Sequence, residues 1–109
     1  MAFPAVLVLH GCNGVSNQHH AWAKTLTEWG YVAVVVDSFG SRGYGNLCST
    51  PEPIVLPKDR ISDIIGMAEY LNAQPYIRPK QIGLIGFSHG GWTIMKAVQE
   101  NVYLKEYGI

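Results

Sequence analysis

Apolar residues in this chain fall either into short unbroken runs or into helix-spaced patterns, and the two kinds alternate. Ala5-Val6-Leu7-Val8-Leu9 is continuous and rich in β-branched residues, the pattern of a strand buried on both faces of a parallel sheet. Turn-forming residues follow from Gly11 to Asn17. From about Gln18 to Trp29 the spacing of Ala21, Thr25, Leu26 and Trp29 predicts a helix, with Asn17 placed to cap it and Gly30 suited to its left-handed end. A second buried-type strand, Tyr31 to Val36, stops at Asp37. The connection from there to Pro57 contains Gly, Ser and Pro. Compact domains join their elements with about 4–6 residues, so a connection this long is expected to line a site or to move. Ile61, Ile64, Ile65, Ala68 and Leu71 then recur at helical spacing, predicting an amphipathic helix over about Lys58–Ala73 with Pro57 near its first turn. A third apolar run, Gln81 to Gly86, leads through Phe87-Ser88-His89-Gly90-Gly91 into a final helix, about Gly91 to Glu100.

The resulting order is β-α-β-α-β-α. Such alternation implies an α/β fold, a parallel sheet joined by right-handed crossovers with helices on both faces. A length of 109 residues with 48% hydrophobic and 15% charged residues fits one domain, 1–109, without a linker or internal repeat. The formal net charge is zero and the basic residues form no stripe, so neither nucleic acid nor an anionic membrane is an expected partner. Ala2 to Leu9, the longest apolar stretch, falls well short of the roughly 20 residues of a membrane helix and lacks signal-peptide flanks. A cytoplasmic location is the default expectation. Cys12 and Cys48 form no C-x-x-C pattern; they are either free thiols or one bridge, and the cytoplasmic default favours free thiols.

The chemistry centres on Gly86-Phe87-Ser88-His89-Gly90. It fits G-x-S-x-G, a nucleophile elbow in which a strand turns sharply into a helix and lifts the serine above the sheet. Alone the pattern is modest evidence, but here a predicted strand precedes it and a predicted helix follows. The competing reading, Ser88 as an ordinary helix cap in a flexible turn, accounts for less of that setting. An elbow serine needs donors for the oxyanion formed when it attacks an acyl carbon. The backbone N–H of His89 is one candidate. The other is the backbone N–H of Cys12, in the glycine-rich turn His10-Gly11-Cys12-Asn13-Gly14 after the first strand.

Other polar residues receive lesser roles. His10 precedes the nucleophile, whereas the base in this fold follows it, so His10 is expected to be structural. Adjacent His19 and His20 cannot make an i, i+4 metal pair and are expected at the surface. The imidazole of His89 should point away from the Ser88 hydroxyl. Asp37 is expected to cap a turn rather than to catalyse. Arg42, in the crevice-edge loop, is a tentative substrate-binding residue that could hold a carboxylate by a two-pronged hydrogen bond; the alternative is a solvated arginine. No metal and no cofactor is implied, and the glycines form no nucleotide-binding fingerprint.

With these segments in hand the chain resembles the dienelactone hydrolase family of α/β-hydrolases. The carrying residues are Leu7 to Cys12, Trp29 to Gly43 and Ile82 to Gly91. The resemblance implies a cofactor-free serine hydrolase of small-molecule esters or lactones, with Ser88 as nucleophile and the Cys12 and His89 backbones as oxyanion donors. Two departures weigh against dienelactone itself: the namesake enzymes carry a cysteine at the elbow and a glutamate where Gly11 stands, so a carboxylesterase-like or peptidase-like relative fits better. No histidine follows His89, and the only later acids are Glu100 and Glu106. The chain is therefore expected to be a fragment lacking the triad acid and base. The alternative is a non-catalytic remnant, an interaction or dimerising module that self-associates through an exposed sheet edge.

Overall fold

A computed structural model describes residues 1–100 and 104–109. Three parallel strands, β1 (Phe3–Leu9), β2 (Val32–Val36) and β3 (Ile77–Gly86), form a sheet in the order β2-β1-β3. Helices α1 (Asn17–Glu28), α2 (Pro57–Asn72) and α3 (His89–Glu100) follow the strands in turn, and short 3-10 turns occupy Gly40–Arg42 and Leu104–Tyr107. The expected α/β alternation is present. β1 lies at the centre, with Leu7 opposite Val34 on one side and Leu84 on the other. That position explains its unbroken apolar run, since both of its faces are covered and both of its edges are bonded.

Alternation along β1 separates two layers. Ala5, Leu7 and Leu9 pack with Ile64, Ala68 and Leu71 of α2 in the main core. The opposite face carries α1, where Leu26, Pro4, Val6 and Gly83 line a shared hollow. Helices thus lie on both faces. α2 begins at Pro57, whose missing N–H costs nothing in a first turn, and Asp59 Oδ2 accepts from Leu56 N–H at 2.9 Å. β3 begins four residues earlier than its apolar run, at Ile77 rather than Gln81, because the polar stretch Arg78–Gln81 bulges between the pairs Phe3–Ile77 and Ala5–Ile82.

The predicted inner face of α1 is only partly realised. Leu26 is buried, but Trp29 is 64% exposed and Ala21 is exposed. His19 is the second buried residue of this helix, against the expectation of a surface position. Its Nδ1 accepts from the Ser16 N–H at 2.9 Å, closing the helix start, and its ring stands edge-on to Phe87 at 5.3 Å. Ser16 is the N-cap, one residue ahead of the expected Asn17. Cys12 and Cys48, favoured as free thiols, are joined in a disulfide. Their separation of 36 residues in sequence is closed by the loop after β2, which folds back so that the Cα atoms lie 4.9 Å apart.

Candidate active site

Strand β3 and helix α3 are joined at Phe87 and Ser88 alone, which forces an abrupt change of direction. Ser88 absorbs it with φ of 53°, in the left-handed region that residues other than glycine seldom adopt. Holding a serine there costs of order 1–3 kcal/mol and requires neighbours that over-determine the turn. The neighbours are visible. A side chain at Gly86 would place its Cβ 2.6 Å from the Gly90 carbonyl carbon, and one at Gly90 would run into Leu9 O. Phe87 N–H donates to Leu9 O at 3.0 Å, pinning the elbow to the end of β1. Ser88 itself is exposed.

The loop after β1 lies directly alongside. A Cβ on Gly11 would sit 3.2 Å from Phe87 O and 3.4 Å from the Ser88 Cβ, so the two backbones approach closely here and a side chain would fit only tightly. Cys12 follows, its carbonyl accepting from Leu47 N–H at 2.8 Å and its sulfur bonded to Cys48. Among the described residues its own N–H has no hydrogen-bond partner. His89 is the first residue of α3, where helical geometry offers no acceptor for the N–H and the helix dipole favours negative charge. Both candidate oxyanion donors therefore flank the serine on backbone that is held from several directions.

The remaining histidines are engaged elsewhere. His10 is fully buried, donates from Nδ1 to Gly11 O at 2.8 Å and stacks edge-on against Phe39 at 4.5 Å, in keeping with a structural role. Its Nε2 lies 4.0 Å from Asp37 Oδ1, beyond hydrogen-bond distance, while Asp37 Oδ1 caps the next turn by accepting from Gly40 N–H at 2.7 Å. The His89 ring turns away from Ser88: Nε2–H donates to Val55 O at 3.0 Å and Nδ1 accepts from Arg60 Nη1 at 2.9 Å. Burial and then the Arg60 charge hold His89 below the usual histidine range. Burial likewise lowers His10 and His19.

Arg60 is the residue that sequence reasoning passed over. It falls on the inward stripe of α2, in line with Ile64 and Ala68, and is fully buried. Its Nη1 also donates to His10 O at 2.8 Å, its guanidinium lies 5.5 Å from the Phe39 ring centre, and burial pulls its pKa down to about 10. An i, i+4, i+8 scan that asked for polar as well as apolar members of the buried stripe would have found it.

Arg42 has a different partner from the one expected. Its guanidinium grips Asp63 in a fork, at 2.8 and 3.0 Å, and also donates to Ser38 O and Asp59 O. The carboxylate it holds in two-pronged fashion belongs to the protein, so the free substrate anchor expected at this position is corrected to a loop-to-helix clamp.

A cavity of about 260 Å³ opens beside the two candidate donors, lined by Cys12 and His89 together with Phe39, Leu47, Val55 and Trp92. The 37–56 connection, expected to line a site, supplies much of its wall. Among the described residues no Asp, Glu, Lys or Arg lines it.

The profile of the prolyl oligopeptidase family matches residues 17–104. The chain is 33% identical over 94 residues to thiohydrolase aneE of Aspergillus aculeatus, a match covering 86% of this chain and 29% of that protein. It is 28% identical over 102 residues to the Synechocystis sp. protein named "Putative carboxymethylenebutenolidase", covering 84% of this chain and 42% of the relative. The chain thus spans less than half the length of these curated relatives. Both carry hydrolase names, and the second is the relative that the dienelactone hydrolase resemblance anticipates.

Proposed function

Because the chain belongs to the prolyl oligopeptidase family of α/β-hydrolases, we propose that it carries the nucleophile and oxyanion hole of a serine hydrolase acting on esters or lactones. The observation that carries this reading is the left-handed Ser88 at a strand-to-helix turn, flanked by the Gly11–Cys12 loop. Strain of this kind persists where a turn has to present one particular side chain.

In the proposed mechanism Ser88 Oγ attacks the acyl carbon and loses its proton to a histidine supplied by sequence beyond this segment. The carbonyl oxygen gains the electron pair and becomes an oxyanion facing the N–H groups of Cys12 and His89. Collapse of the tetrahedral intermediate expels the alcohol or enol oxygen, which takes up the proton, and leaves an acyl-serine. Water, deprotonated by the same histidine, then releases the acid and restores Ser88. An acid residue that orients the histidine is also assigned to the sequence beyond this segment. The neutral cavity beside the donors supports an uncharged apolar acyl or leaving group, since nothing lining it repays the desolvation of a charge. A thioester would react by the same steps with a sulfur leaving group, and the chain's likeness to a thiohydrolase supports including that class.

The test is hydrolysis of p-nitrophenyl acetate by the full-length protein. Ser88→Ala should remove nearly all turnover, a loss on the order of 10⁴-fold or more. Unchanged turnover in that variant would sink the reading.

A second reading, self-association without catalysis, draws on the outer edge of β2, which pairs with no further strand among the described residues, and on the exposed Trp92, Met95 and Val98 of α3; the outer edge of β3 is partly taken, its Ile82 N–H donating to Gly108 O at 3.0 Å. Sedimentation equilibrium separates the two: a monomer with Ser88-dependent turnover excludes it. The described residues contain no helix long and apolar enough to cross a membrane. A cytoplasmic setting is a separate proposal, and the Cys12–Cys48 bridge weighs against it.

A further inference from the structure

We propose that Arg60 is a positioning residue for the oxyanion hole, its Nη1 tying the loop that carries Cys12 to the helix start that carries His89. The inference rests on the serine-hydrolase reading and adds to it a residue that touches neither the substrate nor the reacting atoms.

The geometry is specific. One nitrogen, Nη1, donates to His10 O at 2.8 Å and to His89 Nδ1 at 2.9 Å. His10 lies two residues before Cys12, and His89 supplies the second oxyanion donor itself. These acceptors come from chain segments about 80 residues apart, and a donor from a third element, α2, spans them. The His89 ring is then fixed in one tautomer, because Nδ1 accepts from Arg60 while Nε2–H donates to Val55 O at 3.0 Å. A ring held at both nitrogens in turn restrains the Cα that bears it, at the first residue of α3. Separation of two oxyanion donors matters at the level of tenths of an ångström, because their contribution depends on fixed dipoles aimed at one point.

Stability does not explain an arginine here. Arg60 is fully buried in line with Ile64 and Ala68. Its Nε and Nη2 lack hydrogen-bond partners among the described residues. Of the two acids near it on the helix, Asp63 is gripped by Arg42 and the adjacent Asp59 accepts from the Leu56 N–H. A cation desolvated without a bonded carboxylate opposes folding, and an apolar residue of similar volume is often neutral or better at such a position. What the arginine adds is the tie and a positive charge behind both donors, in a medium where its field toward a developing oxyanion is weakly screened.

The experiment uses the full-length protein, with p-nitrophenyl acetate as the substrate and ¹⁵N-histidine NMR on the same samples. Arg60→Met should lower kcat about 10- to 100-fold, less than or similar to removal of one oxyanion donor, with KM held within about twofold. The His89 Nδ1 resonance should shift as it loses its donor. Arg60→Lys, which keeps one charged donor on a shorter stem, should recover part of kcat. If the methionine variant does not fold, the lysine variant decides, with kcat down about fivefold or more at constant KM expected. Wild-type kcat in a folded variant, or a loss confined to KM, overturns the proposal, as does a His89 resonance indifferent to Arg60. A wild-type protein without Ser88-dependent turnover would instead bring down the serine-hydrolase reading, and the NMR shift would then report a tie with no oxyanion to serve.

Discussion

Two loops meet over the end of the sheet, and they are held by opposite means. The elbow, Gly86 to Gly90, is fixed by backbone against backbone: missing side chains at Gly86 and Gly90 let β3, α3 and the end of β1 interlock. The connection from Asp37 to Leu56 is fixed by side chains reaching across long stretches of sequence. Arg42 holds Asp63, Cys48 holds Cys12, and His89 holds Val55 O. The first kind of restraint is rigid and intolerant of any added atom. The second is a set of separable ties, each of which can be cut without collapsing the rest. Where the two meet, a rigid turn carrying Ser88 faces an adjustable wall.

The sharpest way to break this contrast is to add one methyl group to the elbow. Gly90→Ala should destabilise the protein by about 3 kcal/mol or more, because its Cβ would run into the backbone carbonyls of Leu9 and His10. Urea denaturation measures it, and a loss under about 1 kcal/mol would show that the elbow yields as readily as the loop. The disulfide is of comparable size. Cys48→Ser should cost about 4 kcal/mol, the value expected from opening a closed loop of this length. Turnover should survive in that variant with a raised KM, since Cys48 tethers the wall of the cavity and not the elbow.

A graded effect comes from pH. His10, His19 and His89 are all depressed in the fold, chiefly by burial. The unfolded chain therefore binds more protons than the folded one as pH falls through the ordinary histidine value of 6.5. Stability should be full above that value and decline from about pH 7 toward pH 5, followed as the urea midpoint. His89→Gln should flatten the decline, and an unchanged slope would remove His89 from this account. The smallest effect belongs to the partly exposed Arg42–Asp63 pair. Asp63→Ala should cost about 1 kcal/mol, because solvent screens a pair of this exposure.

The same contrast decides what could be read from the sequence. Restraints made of glycines adjacent to a serine are local, so the sharp strand-to-helix turn at Ser88, the tight Gly11 loop beside it and the β-α-β-α-β-α order were all legible in short windows. Ties between distant side chains leave no local mark. The bridge between Cys12 and Cys48 was disfavoured, and Arg42 was matched to a substrate because Asp63 lies 21 residues away on another element. Arg60 and His19 were missed for a further reason. Each is a polar residue on the inward side of a helix, and a scan for apolar periodicity skips such positions even when burial includes them. Trp29 shows the converse, an apolar residue at the right spacing that the small sheet leaves uncovered.

The central claim is that Ser88 is the nucleophile, and covalent labelling tests it most directly. The full-length protein should be treated with a fluorophosphonate, digested, and the adduct located by peptide mass spectrometry. The account predicts one modified peptide, with the phosphonate on Ser88 and no labelling in Ser88→Ala. An adduct on another residue, or equal labelling of the alanine variant, would contradict it.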